Sequence, residues 1–266
     1  MAGALGNAVL LGMLLVAIFA PLLSPHSPTE QFHGYELAPP SPLFPAGTDS
    51  LGRDILSRIL FGTRVSLLVG VVAVGLGAGL GGGTGLLAGY LGGGFDAVVM
   101  RIWDVVFAVP AILLGISFAA AFGASAVAAA VTLGISSMPT FARLARAGVL
   151  AERNKDYVQA SHAIGASRAR VLLVHICPNI VVPLLVQLAL AMAAAVLLEA
   201  GLSFLGLGAQ PPQPSWGAML AEGRQYLRQA PWYGVFPGLA LTVFVLGLNS
   251  LADALRDTVD PRAHHS

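Results

Sequence analysis

Long apolar runs separated by short polar stretches dominate the chain. The first, Ala8 to Leu23, is about 16 residues and just long enough to cross the hydrocarbon of a bilayer. A signal peptide is the rival reading, but the run has no basic start and Pro21 to Pro28 offers no small-residue cleavage site, so an uncleaved span is expected. Further runs at Val65 to Leu91, Ala97 to Phe122, Ala124 to Ala142, Ile180 to Leu207 and Trp232 to Leu251 are each long enough to span. The pattern predicts an all-α polytopic membrane protein of about six transmembrane helices. Gly123 is almost the whole boundary between the third and fourth, which should therefore form a tight helical hairpin. A first unit, 1–64, holds one span and an external loop. The second, 65–266, holds the other five spans, a cytoplasmic loop at 143–178 and an external loop at 208–231.

Two connecting stretches carry amphipathic pattern. Asp49 to Leu60 sets Leu51, Ile55, Leu56, Ile59 and Leu60 against Arg53, Asp54, Ser57 and Arg58, which predicts a helix lying on the outer membrane face. Trp216 to Gln229 is read the same way, with Trp216 and Trp232 as interfacial anchors, and capping of the bundle is the alternative for both stretches. Glycines crowd Gly75 to Gly85, and within a span small residues mark a close helix–helix contact.

Composition agrees with lipid as the solvent. The chain is 56% hydrophobic and 10% charged, with mean hydropathy +0.79, against about 25% charged residues in soluble domains. A net charge of +1 without a basic run gives no footprint for nucleic acid. The lone Cys177 cannot form an internal disulfide. Basic residues orient the bundle because Lys and Arg resist translocation. With both termini cytoplasmic, Arg101, Arg143, Arg146, Arg153, Lys155, Arg168, Arg170, Arg256 and Arg262 lie inside, against Arg53, Arg58, Arg64, Arg224 and Arg228 outside.

Most catalytic chemistry is excluded. A phosphate loop requires a lysine in a glycine-rich turn, and the only lysine, Lys155, sits in Arg-Asn-Lys-Asp, so ATP has to be hydrolysed elsewhere. Gly77-x-Gly79-x-x-Gly82 lies within a span, without the strand and turn that a dinucleotide fingerprint needs. His162 and His175 have no carboxylate nearby in sequence, and His26, His33, His264 and His265 lie in loops or the tail, so neither a metal nor a cofactor is expected. Within the spans, Asp104 and Glu199 are costly charges. Arg101 is three residues from Asp104 on one helical face, which predicts an internal ion pair. Hydrogen bonding within the bundle is the simpler role for Asp104 and Glu199, and a place on a transport pathway is the alternative.

The 143–178 loop holds the most local signal. Asp156 is expected to cap a helix through Ile164, with Gly165 supplying a left-handed stop. Ser167 is expected to cap a second helix that Pro178 breaks. Small Ala160 and Ala163, with a Tyr157, Ser161, Ile164 stripe, suit either insertion into a partner's groove or packing on the chain's own bundle.

Gln159-Ala160-Ser161, Gly165 and His175-Ile176-Cys177-Pro178 resemble the Glu-Ala-Ala, Gly, Ile-x-Leu-Pro signature of ABC-transporter permease subunits, in which this loop docks on the ATPase. Gln159, Ser161, His175 and Cys177 depart from that signature, while its spacing is kept. Gly47-Thr48-Asp49-Ser50-Leu51-Gly52-Arg53-Asp54, Asp156-Tyr157-Val158, Leu202-Ser203-Phe204-Leu205-Gly206, Pro214-Ser215-Trp216-Gly217 and Asp260-Pro261-Arg262 are similar to the dipeptide, oligopeptide and nickel class. The resemblance implies a subunit of an ATP-driven importer in the inner or plasma membrane. It further implies a second homologous permease, two ATPase subunits and an extracellular solute-binding protein as partners. Peptides are the favoured cargo, with nickel, glutathione or haem open. An intramembrane enzyme would need paired catalytic groups at one depth, and a channel would need a charged ring or filter; neither pattern is present.

Overall fold

The computed structural model describes residues 2–257. Arg262, His264, His265 and the Asp260-Pro261-Arg262 segment lie outside the described residues.

Nine helices follow in order among the described residues: α1 (Ala2–Leu23), α2 (Ile55–Leu91), α3 (Gly93–Phe107), α4 (Ala111–Phe122), α5 (Ala126–Glu152), α6 (Asp156–Ala163), α7 (Arg168–Phe204), α8 (Trp216–Gly223) and α9 (Trp232–Asp257). Five of them are long and apolar enough to span, and the α3–α4 pair makes a sixth crossing if it counts as one bent span. The hairpin expected at Gly123 is present: Gly123 has φ +85°, and Ser125 caps α5 by accepting from the Ala128 amide at 3.1 Å.

Span α1 contains Pro21, whose ring nitrogen cannot donate to the Ala17 carbonyl four residues back. Arg64 of α2 supplies the missing donor through Nε, and its Nη2 donates to the Ile18 carbonyl at 3.1 Å. A backbone defect in one span is thus satisfied by a side chain from the next.

The glycine stripe packs α2 against α5. A Cβ on Gly81 would stand 2.6 Å from Met138 Cα, one on Gly85 2.6 Å from Ala142 Cα, and one on Gly89 2.9 Å from the Arg146 carbonyl. Gly77, Gly81, Gly85 and Gly89 recur every four residues on one face of α2; the last three meet α5 backbone, and Gly77 meets the Ser137 and Phe141 side chains. Over Gly77–Gly82 the helix widens into π geometry without interrupting the span.

Several expectations are corrected. Asp49 to Leu60 is not a separate helix on the membrane face. The chain turns there, with an isolated bridge between Thr48 and Asp54, and α2 begins at Ile55 with Asp54 as its cap, accepting from the Ser57 amide at 3.0 Å. Ile55, Arg53 and Arg58 are buried rather than laid on a surface. Trp216 is no interfacial anchor either. It is fully buried, donates from Nε1 to the Ile59 carbonyl at 3.1 Å and meets Phe244 edge-on. Pro178 does not break a helix: α7 runs unbroken for 37 residues, because the wide π turns over Val171–Ile176 move aside the carbonyl that would clash with its ring. The run from Ala97 to Phe122 is two helices bent by 83°. Pro110 disfavours helical geometry at Val109, which ends α3.

Candidate functional site

Two regions could act on other molecules, the α6 surface and a cavity at the α3–α4 bend. α5 and α7 connect them.

Helix α6 is held from one side. Val158 is fully buried with Val149 of α5 and Val171, Ile176 and Ile180 of α7. Ser161 is buried and donates to the Tyr157 carbonyl at 2.8 Å. The Tyr157 hydroxyl donates to Glu152 Oε2 at 2.6 Å and accepts from Asn179 Nδ2 at 3.1 Å. Burial of that hydroxyl, then its bond to Glu152, pushes its pKa up to about 12. Tyr157 therefore keeps its proton at any physiological pH and fastens α6 to both flanking helices.

The opposite side is open. Gln159, Ala160, His162 and Ala163 are exposed, and Ile164 is 87% exposed. Tyr157, Ser161 and Ile164 accordingly do not form one contact stripe: Ser161 faces inward and Ile164 outward. Asp156 is not the cap. The helix begins at Asp156, Lys155 precedes it without a side-chain cap bond, and the Asp156 carboxylate lies in the first turn, where it favours the helix dipole. Gly165 has φ +82° and ends the helix as expected, with nothing within 4 Å of a Cβ placed there. Ser167 accepts from the Arg170 amide at 3.4 Å as the cap of α7.

A cavity of 320 Å³ lies where α3 bends into α4. Phe107 and Pro110 wall it at the bend, α5 contributes Ser136, Ser137 and Thr140, and α7 contributes Gln187 and Leu198. The sequence reading missed these residues. Ser136 and Thr140 at helical spacing, with Ser137 beside them, were the available signal, as was Pro110 for the bend. Among the described residues, no charged side chain lines the cavity.

The pathway-or-structure candidates separate. Asp104 pairs with Arg143 of α5 at 2.8 Å, not with Arg101, and both partners are exposed. Arg143 also stacks on Phe107 at 4.3 Å, one turn towards α6 from Thr140. The Arg101–Asp104 pair fails because α5 offers Asp104 a better-placed guanidinium, while Arg101 is exposed. Glu199 is fully buried and accepts from Ser203 Oγ at 2.7 Å within its own helix. It does not line the cavity.

Comparison with known proteins gives the family. Residues 81–265 match the binding-protein-dependent transport system inner membrane component, and residues 2–40 match the N-terminal transmembrane domain of oligopeptide transport permease C. The chain is 43% identical to the di/tripeptide transport system permease protein DppC of Pseudomonas aeruginosa, over 98% of this chain and 88% of that one. It is 44% identical to the dipeptide transport system permease protein DppC of Escherichia coli K12, covering 94% and 85%. It is also 43% identical to the glutathione transport system permease protein GsiD of Pectobacterium atrosepticum, covering 97% and 86%. An all-helical membrane bundle with family matches along most of its length is thereby placed: the chain belongs to the binding-protein-dependent transport inner-membrane components, as a permease subunit of an ABC transporter and not an enzyme.

Proposed function

We propose that this permease is half of the translocation pathway of an ATP-driven importer of dipeptides and other short peptides. In this reading it pairs with a second, homologous permease, receives cargo from an extracellular binding protein, and is driven by two ATPase subunits. The relatives named for dipeptides and for glutathione, itself a short peptide, support that cargo class. The cavity suits it as well. Neutral hydroxyl and amide groups among apolar walls can hydrogen-bond a passing peptide without holding it, as conduction requires.

The observation that carries the mechanism is the two-sided build of α6. Val158 and Tyr157 fix it to α5 and α7, while Ala160, Ala163 and Ile164 face outward as a small apolar surface for a groove on the ATPase. Thr140 and Glu152 are 12 residues apart in α5, about 18 Å of helix. Any push on α6 reaches the cavity wall through α5 and α7 together, which suits alternating access.

Ala160→Glu puts bulk and charge on the open face of α6. Gly165→Val forces a β-branched residue into a left-handed turn that costs roughly 1–2 kcal/mol. Because neither position packs against the bundle, both variants are expected to reach the membrane with the second permease and to lose most ATPase recovery and peptide uptake. Copurification of the ATPase, normalised to inserted permease, is the measurement; wild-type recovery with wild-type uptake would overturn the docking role.

With α6 cytoplasmic, both termini are cytoplasmic and the long loops external. In a Cys177→Ser background, Thr29→Cys and Gln213→Cys, both exposed, should react with an impermeant thiol reagent on intact cells. Reaction only after the cells are opened reverses the orientation.

A further inference from the structure

A second cavity, of 340 Å³, opens at the α6 end of the molecule and is lined by Tyr90, Leu91, Arg153, Asn154, His162 and Arg168. It draws on the last residues of α2, the end of α5, α6 and the first residue of α7. Among the described residues, none of the lining is acidic. Arg153 is anchored by an Nη1 bond to the Gly89 carbonyl at 2.9 Å, and Arg168 is exposed with no ion pair among the described residues. Of the neighbouring carboxylates, Asp96 takes a two-pronged grip from Arg146 at 2.5 and 2.6 Å, Glu152 takes Lys155 at 2.7 Å and Tyr157, and Asp156, in the first turn of α6, is exposed and outside the lining. Two guanidinium groups and no acidic lining residue leave the cavity net positive, with the Arg168 donors free, a combination that recognises a phosphate.

Its position selects the source of that phosphate. Tyr90 and Leu91 end a membrane span, and Leu91 is 53% exposed at the rim. Apolar span surface thus runs directly into the basic floor. A free anion satisfies only the floor, whereas a phosphate ester with acyl chains satisfies both. We propose that this cavity binds an anionic phospholipid, with the headgroup phosphate on Arg153 and Arg168 and the acyl chains against the end of α2. The site lies apart from the cargo cavity and shares His162 with the open side of α6.

The test uses the complete purified transporter, delipidated in detergent and titrated with fluorescent phosphatidylglycerol. Phosphatidylcholine with the same chains is the neutral comparison, and millimolar inorganic phosphate is the competitor. Phosphatidylglycerol is expected to bind at least about tenfold more tightly than phosphatidylcholine, and Arg168→Gln to weaken it about fivefold. Among the described residues Arg168→Gln removes no side-chain bond, so the result does not depend on Arg153, whose loss would also free the Gly89 carbonyl. Arg170→Gln removes the same charge from an exposed neighbour outside the cavity and is expected to leave binding within about twofold. Equal binding of the two lipids, or an equal loss in Arg170→Gln, would overturn the site in favour of diffuse surface charge. Displacement by inorganic phosphate would make it a free-anion site. Unchanged lipid binding with loss of the ATPase from Arg168→Gln would make it a protein contact.

Discussion

Replacing Asp49 with Asn is expected to cost the folded permease about 3–5 kcal/mol, because it leaves buried guanidinium charge uncompensated. Asp49 is fully buried. Its Oδ1 accepts from the amides of Leu51 at 2.8 Å and Arg53 at 2.9 Å, and its Oδ2 takes Arg53 Nε at 2.6 Å and Arg58. Glu222 of α8 closes the cluster from the other side, receiving Arg53 at 3.3 Å, Arg58 at 3.2 Å and the Tyr233 hydroxyl. Its side chain is 32% exposed, so water can replace part of what Glu222→Gln removes, and that variant should cost distinctly less. Thermal unfolding of the purified transporter in one detergent checks the order. Equal losses, or a larger one for Glu222→Gln, would show that burial does not set the energetics of this cluster.

The second large effect belongs to the glycine stripe. Gly85→Ala adds one methyl group against Ala142 backbone, which cannot rotate aside, so α2 and α5 must separate. Overpacking of this kind costs about 1–3 kcal/mol. Gly83→Ala, two residues away with nothing within 4 Å of its Cβ, adds the same methyl to open space and should stabilise the helix by roughly 0.5–1 kcal/mol. Opposite shifts in unfolding temperature are the expected signature. If both variants shift the same way, close backbone contact is not what the glycines provide.

The crossings were legible because each is a long apolar run, and the α2 glycines because small residues inside such a run have few other uses. The start of α2 was not. Leu51, Ile55 and Ile59 set against Arg53 and Arg58 read as a helix with one wet face, yet those arginines are buried between Asp49 and Glu222, and Glu222 lies 164 residues beyond Arg58. Local spacing carries no trace of so distant a partner. Asp104 illustrates the same limit, since Arg101 is near in sequence but Arg143 is the cation that reaches it. Trp216 looked like an anchor because the sequence cannot say whether an aromatic ring at a span's end faces lipid or a neighbouring helix. Local backbone signals did better: Gly165 ended and Ser167 began a helix where expected, and Gly123 marked a hairpin. Asp156 missed by one position, the ordinary error of reading a cap without its geometry.

The Asp49–Arg58–Glu222 cluster also sets an order of events in biosynthesis. Arg53 and Arg58 leave the ribosome long before Glu222, and at roughly 5–20 residues per second the interval is on the order of 10 s. For that time Asp49 alone balances two arginines at the head of α2. The native seat of α2 is complete only once α8 and α9 have been made, so the first half of the chain crosses the membrane before the contact that fixes it exists.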